Sequence, residues 1–230
     1  MSLFNKERIR KDMTEIAASI LTVEKENAVR TFYNLETGKI NYFHIDVMDG
    51  KFVEKNTTEL MKDYALTISH ISNLGLDVHL MVENVEEFID EYLMLEPEIL
   101  TFHIEATKTE KRTLNAIEEI KRSGSRVGIS ISPDTKLEEI KPYLNKIHMV
   151  LIMTVVPGKG GQKLIPETLE KVKELKKYID ENNIDIDIEV DGGINAETAS
   201  SAVEAGANIL VAGSYLINSE NIAEAVSKLK

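Results

Sequence analysis

The chain has 230 residues, of which 43% are hydrophobic and 29% charged, and its formal net charge is −12. This composition is typical of a folded globular protein, and the negative charge argues against nucleic acid and anionic membranes as partners. The absence of cysteine excludes disulfides and thiolate chemistry and fits a cytoplasmic location, and no apolar run is long enough to predict a membrane span or a signal peptide.

Short apolar or alternating segments recur along the chain, separated by charged segments, which is typical of strand–helix units on a parallel sheet. Eight segments have strand character, at residues 15–21, 40–48, 76–81, 99–104, 126–131, 149–153, 184–191 and 209–212. Helices are predicted over residues 85–95, 108–123, 136–144, 165–182 and 218–229, and after Asn195. Eight repeats without a linker predict one α/β domain over residues 1–230, a single closed (β/α)8 TIM barrel. Residues 1–12 are predicted to be a helical N-terminal leader packed on one end of the barrel.

The predicted second strand carries a possible metal-ligand pair near its carboxyl end. Side chains alternate along a strand, so His44, Asp46 and Met48 share one face, and the Asp49-Gly50 turn follows directly. Barrels place their sites at the carboxyl ends of their strands. The alternative is a hydrogen-bonded structural pair, so the interpretation depends on what else reaches the same rim.

The third and seventh strands bring two more candidate ligands to that rim. His79 lies near the end of the third strand, and Asp191 ends the seventh. Together with His44 and Asp46 they form a mixed set of imidazoles and carboxylates. Such a set suits Zn²⁺, Fe²⁺, Mn²⁺ or Co²⁺ better than Mg²⁺ or Ca²⁺, which prefer oxygen ligands.

The seventh strand carries acidic side chains at alternate positions, so Asp185, Asp187 and Glu189 share the face of Asp191. Buried carboxylates without partners are costly. We therefore expect Asp185 and Asp187 at the solvated entrance and Asp191 at a cation, although a paired structural role for Asp191 is the alternative.

Glycine-containing loops after the last three strands are candidates for binding a phosphate group. They contain Gly158, Gly160 and Gly161, then Gly192 and Gly193, and finally Gly213 and Ser214. Glycine allows backbone amides to turn toward an anion, and loops after strands 7 and 8 commonly hold phosphate in barrel enzymes. Each cluster alone could be a tight turn, but three on one rim favour a phosphate site beside the metal.

Sequence stretches at residues 18–21, 43–53, 76–82, 101–106, 151–154, 157–162, 188–193 and 211–214 span nearly the whole chain. Together they resemble the ribulose-phosphate 3-epimerase family. The resemblance implies a barrel of the ribulose-phosphate-binding type and a metal-dependent epimerase of the pentose phosphate pathway, which interconverts D-ribulose 5-phosphate and D-xylulose 5-phosphate. The implied partner is a small phosphosugar, and the implied assembly is a homo-oligomer, either a dimer or a hexamer.

The resemblance also implies a role for each candidate residue. One divalent ion, with Zn²⁺ as first choice and Fe²⁺, Mn²⁺ or Co²⁺ as alternatives, is bound by His44, Asp46, His79 and Asp191. Asp46 and Asp191 are the catalytic acid/base pair that moves a proton at C3 through an enediolate, since the two faces of that carbon need one group each. The implied substrate-binding residues are Ser19, Met48, His79, Met81, Met153, Gly158, Gly160, Gly161, Gly192, Gly193, Gly213 and Ser214.

Some loop positions depart from the family pattern, namely Ala18, residues 54–56, Val156 and Lys159. Because these loops contact the sugar, two alternatives stay open: a 3-epimerase of a ketohexose phosphate such as allulose 6-phosphate, and a non-catalytic phosphosugar-binding barrel. A metal-dependent hydrolase is disfavoured because no spare base is evident. Lys159 either reaches the phosphate as a point charge or is solvated. His103 is expected behind the ligands or in the core.

Overall fold

Eight parallel strands form the centre of the fold. The computed structural model describes residues 14–230, and the strands are β1 (Glu15–Ser19), β2 (Tyr42–Met48), β3 (Gly75–Met81), β4 (Ile99–His103), β5 (Arg126–Ile131), β6 (Met149–Met153), β7 (Asp187–Asp191) and β8 (Ile209–Ala212). Each strand pairs with its two neighbours and β8 pairs with β1, so the sheet is closed. The predicted (β/α)8 TIM barrel is confirmed, whereas the leader predicted at residues 1–12 lies outside the described residues.

Helices cover most of the outside of the barrel. They are α1 (Ala28–Thr37), α2 (Thr58–Ile71), α3 (Val85–Leu93), α4 (Ile104–Thr107), α5 (Glu110–Ser123), α6 (Glu167–Glu181), α7 (Ala199–Ala205), α8 (Ser214–Ile217) and α9 (Ile222–Ser227). The α5 helix has a defined start and end, because Thr109 accepts a hydrogen bond from Arg112 N and Gly124 follows in the left-handed conformation with φ of 92°. Within residues 14–230, no helix combines the length and the apolar character needed to cross a membrane.

The two faces of each strand have different surroundings. Outward side chains such as Phe43 and Ile45 are fully buried in one large hydrophobic cluster that includes helix residues such as Phe32. Inward side chains such as Tyr42 and Leu151 form a second cluster inside the barrel. This period of two follows from strand geometry, and it leaves the polar side chains of β2 and β3 on the inward face.

The segment between β5 and β6 differs from its prediction. A helix was expected over residues 136–144, but the chain forms two short 3₁₀ helices, Leu137–Glu139 and Lys141–Lys146. Pro142 has no amide hydrogen to donate and disfavours the α conformation at the residue before it. A continuous α-helix therefore does not form, although Tyr143 and Leu144 are still buried.

The seventh strand is shorter than predicted because its neighbour β6 begins only at Met149, which pairs with Asp187. The expectation that Asp185 and Asp187 lie at the solvated entrance is wrong. Asp187 lies at the amino end of β7, the end away from the barrel mouth, where Arg126 and Asn208 contact it, and Asp185 is exposed just before the strand. All strands of a parallel barrel point the same way, so only the last acidic residue of β7 reaches the mouth.

Candidate active site

Two imidazoles and two carboxylates meet inside the barrel near the carboxyl ends of three strands. His44 and Asp46 come from β2, His79 from β3 and Asp191 from the end of β7. Asp46 and His79 are paired across β2 and β3, and potential ligand atoms of all four residues lie within 4.8 Å of one another. The structure thus brings together the four residues that the sequence predicts as a metal site.

The ring of His44 is held by a carboxylate on the side away from Asp46. Its Nδ1 lies 2.5 Å from Asp77 Oδ2, and an ionised carboxylate only accepts hydrogen bonds, so Nδ1 carries a hydrogen. Its Nε2 is buried without a hydrogen-bond partner in residues 14–230 and lies 3.4 Å from Asp46 Oδ1 and 3.9 Å from Asp191 Oδ2. Nε2 is therefore the nitrogen available to a cation.

The ring of His79 is held by another histidine. Its Nε2 lies 2.9 Å from Nε2 of His103, and the two rings are stacked. Its Nδ1 is buried without a hydrogen-bond partner in the described chain, 3.4 Å from Asp46 Oδ1 and 3.7 Å from Asp191 Oδ2. His103 thus lies behind His79 and outside the ligand cluster.

The remaining histidines lie elsewhere in the fold. His148 accepts a hydrogen bond from Val127 N, and the ring of His70 contacts the carbonyl of Leu66 one helical turn earlier. Neither histidine belongs to the His/Asp cluster.

The two carboxylates of the cluster have pKa values shifted in opposite directions. Burial favours the protonated form of Asp46, but the nearby charge of His44 outweighs burial and holds the pKa of Asp46 well below its usual range. Burial, reinforced by the charge of Asp46, raises the pKa of Asp191 to about 7. Without a bound cation, Asp46 is therefore ionised and Asp191 is partly protonated near neutral pH.

The donor atoms of the cluster fit a divalent cation. His44 Nε2 and His79 Nδ1 are buried without partners in the part of the chain that the structure describes, and each such atom costs about 1–3 kcal/mol. A cation between these nitrogens and the two carboxylates would satisfy both nitrogens and balance the negative charge. Two imidazoles and two carboxylates suit Zn²⁺, Fe²⁺, Mn²⁺ or Co²⁺, so the cluster can hold such an ion.

A second acidic group lies on the other side of His44, deeper in the barrel. Asp77 and Glu189 are fully buried, and they and His44 have potential ligand atoms within 4.8 Å of one another. Burial, followed by the charge of Asp77, raises the pKa of Glu189 well above its usual range, which favours its protonated form. Because a metal ligand must be deprotonated, we interpret this group as support for His44 rather than as a second metal site.

A cavity opens above the cluster at the mouth of the barrel. Asp46 and Asp191 line it, whereas His44 and His79 are fully buried beneath it. The other predicted site residues also line it, namely Ser19, Met48, Met81, Met153, Gly158, Gly160, Gly161, Gly192, Gly193, Gly213 and Ser214. The cavity is also lined by residues that were not predicted from the sequence: Leu21, Thr22, Val155, Gln162, Ile194 and Val211. Most of these follow a strand end or flank a predicted glycine, which is the signal that could have identified them.

The loops after β6 and β7 approach each other closely at this mouth. Gly193 has φ of 69°, and a Cβ atom there would lie 2.2 Å from Leu164 N, so the position requires glycine. The Gln162 side chain donates hydrogen bonds to the carbonyl oxygens of Val156 at 2.7 Å and Lys159 at 2.9 Å. These contacts close the loop after β6 and hold its glycine-rich backbone at the edge of the cavity.

The loops on the opposite side of the mouth are also joined to one another. Asp49, after β2, accepts a hydrogen bond of 2.8 Å from Glu83 N in the loop after β3. Phe52 packs on the ring of His103 with 4.8 Å between centroids. The loop after β2 therefore contacts both the β3 loop and the histidine that holds His79.

The sequence matches a known family over most of its length. The model of the ribulose-phosphate 3 epimerase family matches residues 15–217. Ribulose-phosphate 3-epimerase of Methanocaldococcus jannaschii is 39% identical over 218 residues, which cover 95% of this chain and 90% of the relative. Ribulose-phosphate 3-epimerase of Bacillus subtilis is 38% identical over 219 residues, which cover 95% of this chain and 99% of the relative.

Solved structures with little sequence similarity share the barrel. A crystal structure of 3-hexulose-6-phosphate synthase has a TM-score of 0.69 at 13% identity, covering 94% of this chain and 97% of that chain. The crystal structure of KGPDC from Streptococcus mutans has a TM-score of 0.65 at 14% identity, covering 94% of this chain and 95% of that chain. At these identities the structures support the fold alone. The family match and the curated relatives go further, and they establish that the chain belongs to the ribulose-phosphate 3-epimerase family.

Proposed function

We propose that this epimerase interconverts D-ribulose 5-phosphate and D-xylulose 5-phosphate by moving a proton at C3. The observation that carries the proposal is the meeting of Asp46 and Asp191, from the non-adjacent strands β2 and β7, in one cluster at the cavity. Inverting a stereocentre beside a carbonyl requires a base on one face of the carbon and an acid on the other. Two carboxylates that reach the cavity from different strands can fill both roles.

The opposite pKa shifts of the two carboxylates indicate which one removes the proton from C3 and which one returns a proton. Asp46, whose pKa is lowered, is the ionised base that removes the proton from C3. Asp191, whose pKa is about 7 without a bound cation, returns a proton to the opposite face, and the roles exchange in the reverse reaction. Ser19 donates a hydrogen bond of 2.7 Å to Asp46 Oδ2 and orients this carboxylate.

His44, Asp46, His79 and Asp191 would hold one divalent cation, for which we propose Zn²⁺, with Fe²⁺, Mn²⁺ or Co²⁺ as alternatives. When bound, the cation supplies Lewis-acid stabilisation of the negative charge that develops on the enediolate oxygens. Burial lowers the pKa of His44, but the charges of Asp77 and Asp46 outweigh burial and raise this pKa well above its usual range. His44 must therefore lose a proton when it becomes a ligand, so we expect cation affinity to fall at low pH.

The rest of the cavity can hold the phosphosugar. Backbone amides in the loops containing Gly158, Gly160, Gly161, Gly192, Gly193, Gly213 and Ser214 would bind the phosphate group. The apolar side chains of Met48, Met81 and Met153 would cover the reacting carbons and exclude water from the enediolate. This arrangement supports a substrate with an anionic end and a reactive ketose end.

A ketohexose phosphate is the second candidate substrate. A groove of about 850 Å³ lies beside the cavity and shares Gly158, Lys159 and Gln162 with it. Glu54, Lys55 and Val156, which differ from the family pattern, line this groove, which supports a longer sugar as the alternative substrate. Measuring kcat/KM for ribulose 5-phosphate and for allulose 6-phosphate distinguishes the two candidates.

The decisive experiment is Asp191→Asn. We expect this variant to lose epimerase activity by about 10²–10⁴-fold, the usual contribution of a general acid or base, and to lose solvent deuterium incorporation at C3 of ribulose 5-phosphate. Asp185→Asn is the matched control, because this exposed carboxylate precedes the same strand at its other end, and it should remain fully active. Near wild-type turnover by a folded Asp191→Asn protein would disprove the two-carboxylate mechanism.

The single-domain boundaries, the homo-oligomeric state and the cytoplasmic location stay predictions.

Treatment with a chelator tests the proposed cation in the epimerase assay. Activity should be lost and should return on addition of Zn²⁺ or another of the proposed ions.

A further inference from the structure

A chain of hydrogen bonds extends from His79 away from the cluster. His79 and His103 are fully buried, and their Nε2 atoms are 2.9 Å apart. His103 Nδ1 lies 3.0 Å from Glu105 Oε2. The other oxygen of Glu105 accepts hydrogen bonds from Ser132 N at 2.8 Å and from the Thr135 hydroxyl, both in the loop after β5.

The chemistry at each link determines where the ring hydrogens lie. Glu105 receives hydrogen bonds at both oxygens. Burial raises its pKa, but the His103 ring and the two loop donors outweigh burial and lower the pKa of Glu105 to about 2. An ionised carboxylate cannot donate, so His103 must donate from Nδ1. A neutral imidazole carries only one ring hydrogen, so the Nε2 of neutral His103 has a free lone pair.

The position of the hydrogen on His103 determines the position of the hydrogen on His79. Only one of the two Nε2 atoms can donate in their hydrogen bond. His103 Nε2 is the acceptor, so His79 donates from its Nε2. The neutral His79 ring carries no second hydrogen. Its Nδ1 is then a bare lone pair directed at Asp46 Oδ1 and Asp191 Oδ2, 3.4 Å and 3.7 Å away.

We propose that Glu105 and His103 are positioning residues that fix the tautomer of His79, so that its Nδ1 lone pair faces the cation site. The opposite tautomer would place a bare His103 Nδ1 against the Glu105 carboxylate, which is repulsive. His44 reaches the same end by a direct contact with Asp77, whereas His79 depends on a residue two hydrogen bonds away. This inference rests on the proposed cation site but not on the identity of the substrate.

The first test needs no variant. In chelator-treated wild-type protein, long-range ¹⁵N–¹H NMR of the histidine rings should show hydrogen on Nε2 of His79 and on Nδ1 of His103. A hydrogen on Nδ1 of neutral His79 would overturn the inference.

The second test reverses the relay with Glu105→Gln. The donors Ser132 N and Thr135 hydroxyl keep the amide oxygen at the Oε1 position, so the amide NH₂ group faces His103 Nδ1 and must donate to it. His103 then carries its hydrogen on Nε2, and His79 is forced to carry its own on Nδ1, where it blocks the cation. We expect Zn²⁺ affinity, measured by competition with a chromophoric chelator, to fall by about 10–100-fold, with the NMR pattern of both rings inverted.

Glu83→Gln is the matched control, because this exposed glutamate in the neighbouring loop forms its ion pair with Lys108. It should retain wild-type Zn²⁺ affinity, ring tautomers and activity. If Glu105→Gln binds Zn²⁺ as tightly as wild type, the inference is wrong even if the enzyme is an active epimerase. If wild-type protein shows no epimerase activity while the NMR and Zn²⁺ results hold, only the proposed function fails.

Discussion

At the scale of single residues, the cluster depends on how two imidazole rings are oriented. His44 directs Nε2 and His79 directs Nδ1 toward the same two carboxylates, and each ring is fixed by one contact on its far side. The carboxylate behind His44 acts directly, and the one behind His79 acts through His103. Substitutions behind the two rings should therefore weaken the cation site without touching the cation or the substrate.

The titration of Asp191 gives a prediction for the chelator-treated protein. Its pKa of about 7 in the folded state lies above the ordinary value of 3.8. A carboxyl group whose pKa is raised in the folded state stabilises the fold fully at pH values below its ordinary pKa. This stabilisation is lost as the pH rises to about 7, and it amounts to roughly 1.4 kcal/mol for each unit by which the pKa is raised. The free energy of unfolding should therefore fall across this window because of Asp191.

Other groups titrate in the same range, since the pKa values of His79 and His103 are lowered and act in the opposite direction. The contribution of Asp191 is therefore the difference in the free energy of unfolding between wild type and Asp191→Asn. It is measured by urea unfolding at pH 5, 6, 7 and 8 with chelator present. The variant should gain stability relative to wild type as the pH rises. A difference that stays constant across these pH values would contradict the assigned shift.

The residues of the cluster could be predicted from sequence, but their contacts could not. His44, Asp46 and Asp191 each lie close to the end of a predicted strand, and the strand period assigns them to one face. The contact of His44 with Asp77 depends on the register of β2 against β3, and the contact of His79 with His103 depends on ring rotations. Neither is determined by spacing along the chain.

At the scale of elements, the mouth is built from loops whose backbones nearly touch. The loop after β7 passes so close to Leu164 that a side chain at Gly193 cannot be accommodated without movement. We predict that Gly193→Ala separates the loops after β6 and β7, raises KM for the phosphosugar at least about tenfold and destabilises the protein by about 1–3 kcal/mol. Steady-state kinetics and urea unfolding measure the two effects.

Gly124→Ala provides the control for backbone strain alone. Gly124 also has a positive φ, of 92°, but a Cβ atom there would have no neighbour within 4 Å, and the residue ends α5 far along the chain from the glycine loops. It should lose about 1 kcal/mol of stability with no change in KM. If both variants change KM equally, the close approach at Gly193 is not what shapes the loops after β6 and β7.

The elements themselves were predictable where periodicity was strong and tertiary context did not interfere. All eight strands occur where alternation and apolar runs place them. The errors arise where another constraint dominates: Pro142 prevents an α-helix after β5, and the late start of β6 leaves the residues before Asp187 outside the sheet. A single sequence shows the apolar pattern of a segment but not when its neighbour begins.

At the scale of the whole molecule, charge is distributed unevenly. The chain carries a net charge of −12, yet Lys51, Lys55 and Lys159 line the groove at the mouth together with Glu54. Within residues 14–230, none of these lysine side chains forms an ion pair. An anionic substrate approaching a negatively charged protein would thus meet a local positive region at the site.

We predict that Lys159→Gln lowers kcat/KM for the phosphosugar by about 3–10-fold at low ionic strength, because Lys159 is shared by the groove and the cavity. The loss should shrink at about 0.5 M salt, where exposed charges are screened. Lys146→Gln is the control, since Lys146 is exposed and precedes β6 at the opposite end of the barrel. An equal loss in both variants, or one that persists at high salt, would show that Lys159 does not act through charge.

The contacts between neighbouring loops make the two halves of the mouth unequal. Three contacts connect the loops after β2, β3, β4 and β5 to one another. They are the contacts of Asp49 with Glu83, of Phe52 with His103 and of Glu105 with Ser132. A redesign of sugar specificity that edits this half would disturb the proposed cation ligands at the same time. An engineer should instead alter the loops after β6 and β8, because neither of these strands carries a residue of the His/Asp cluster.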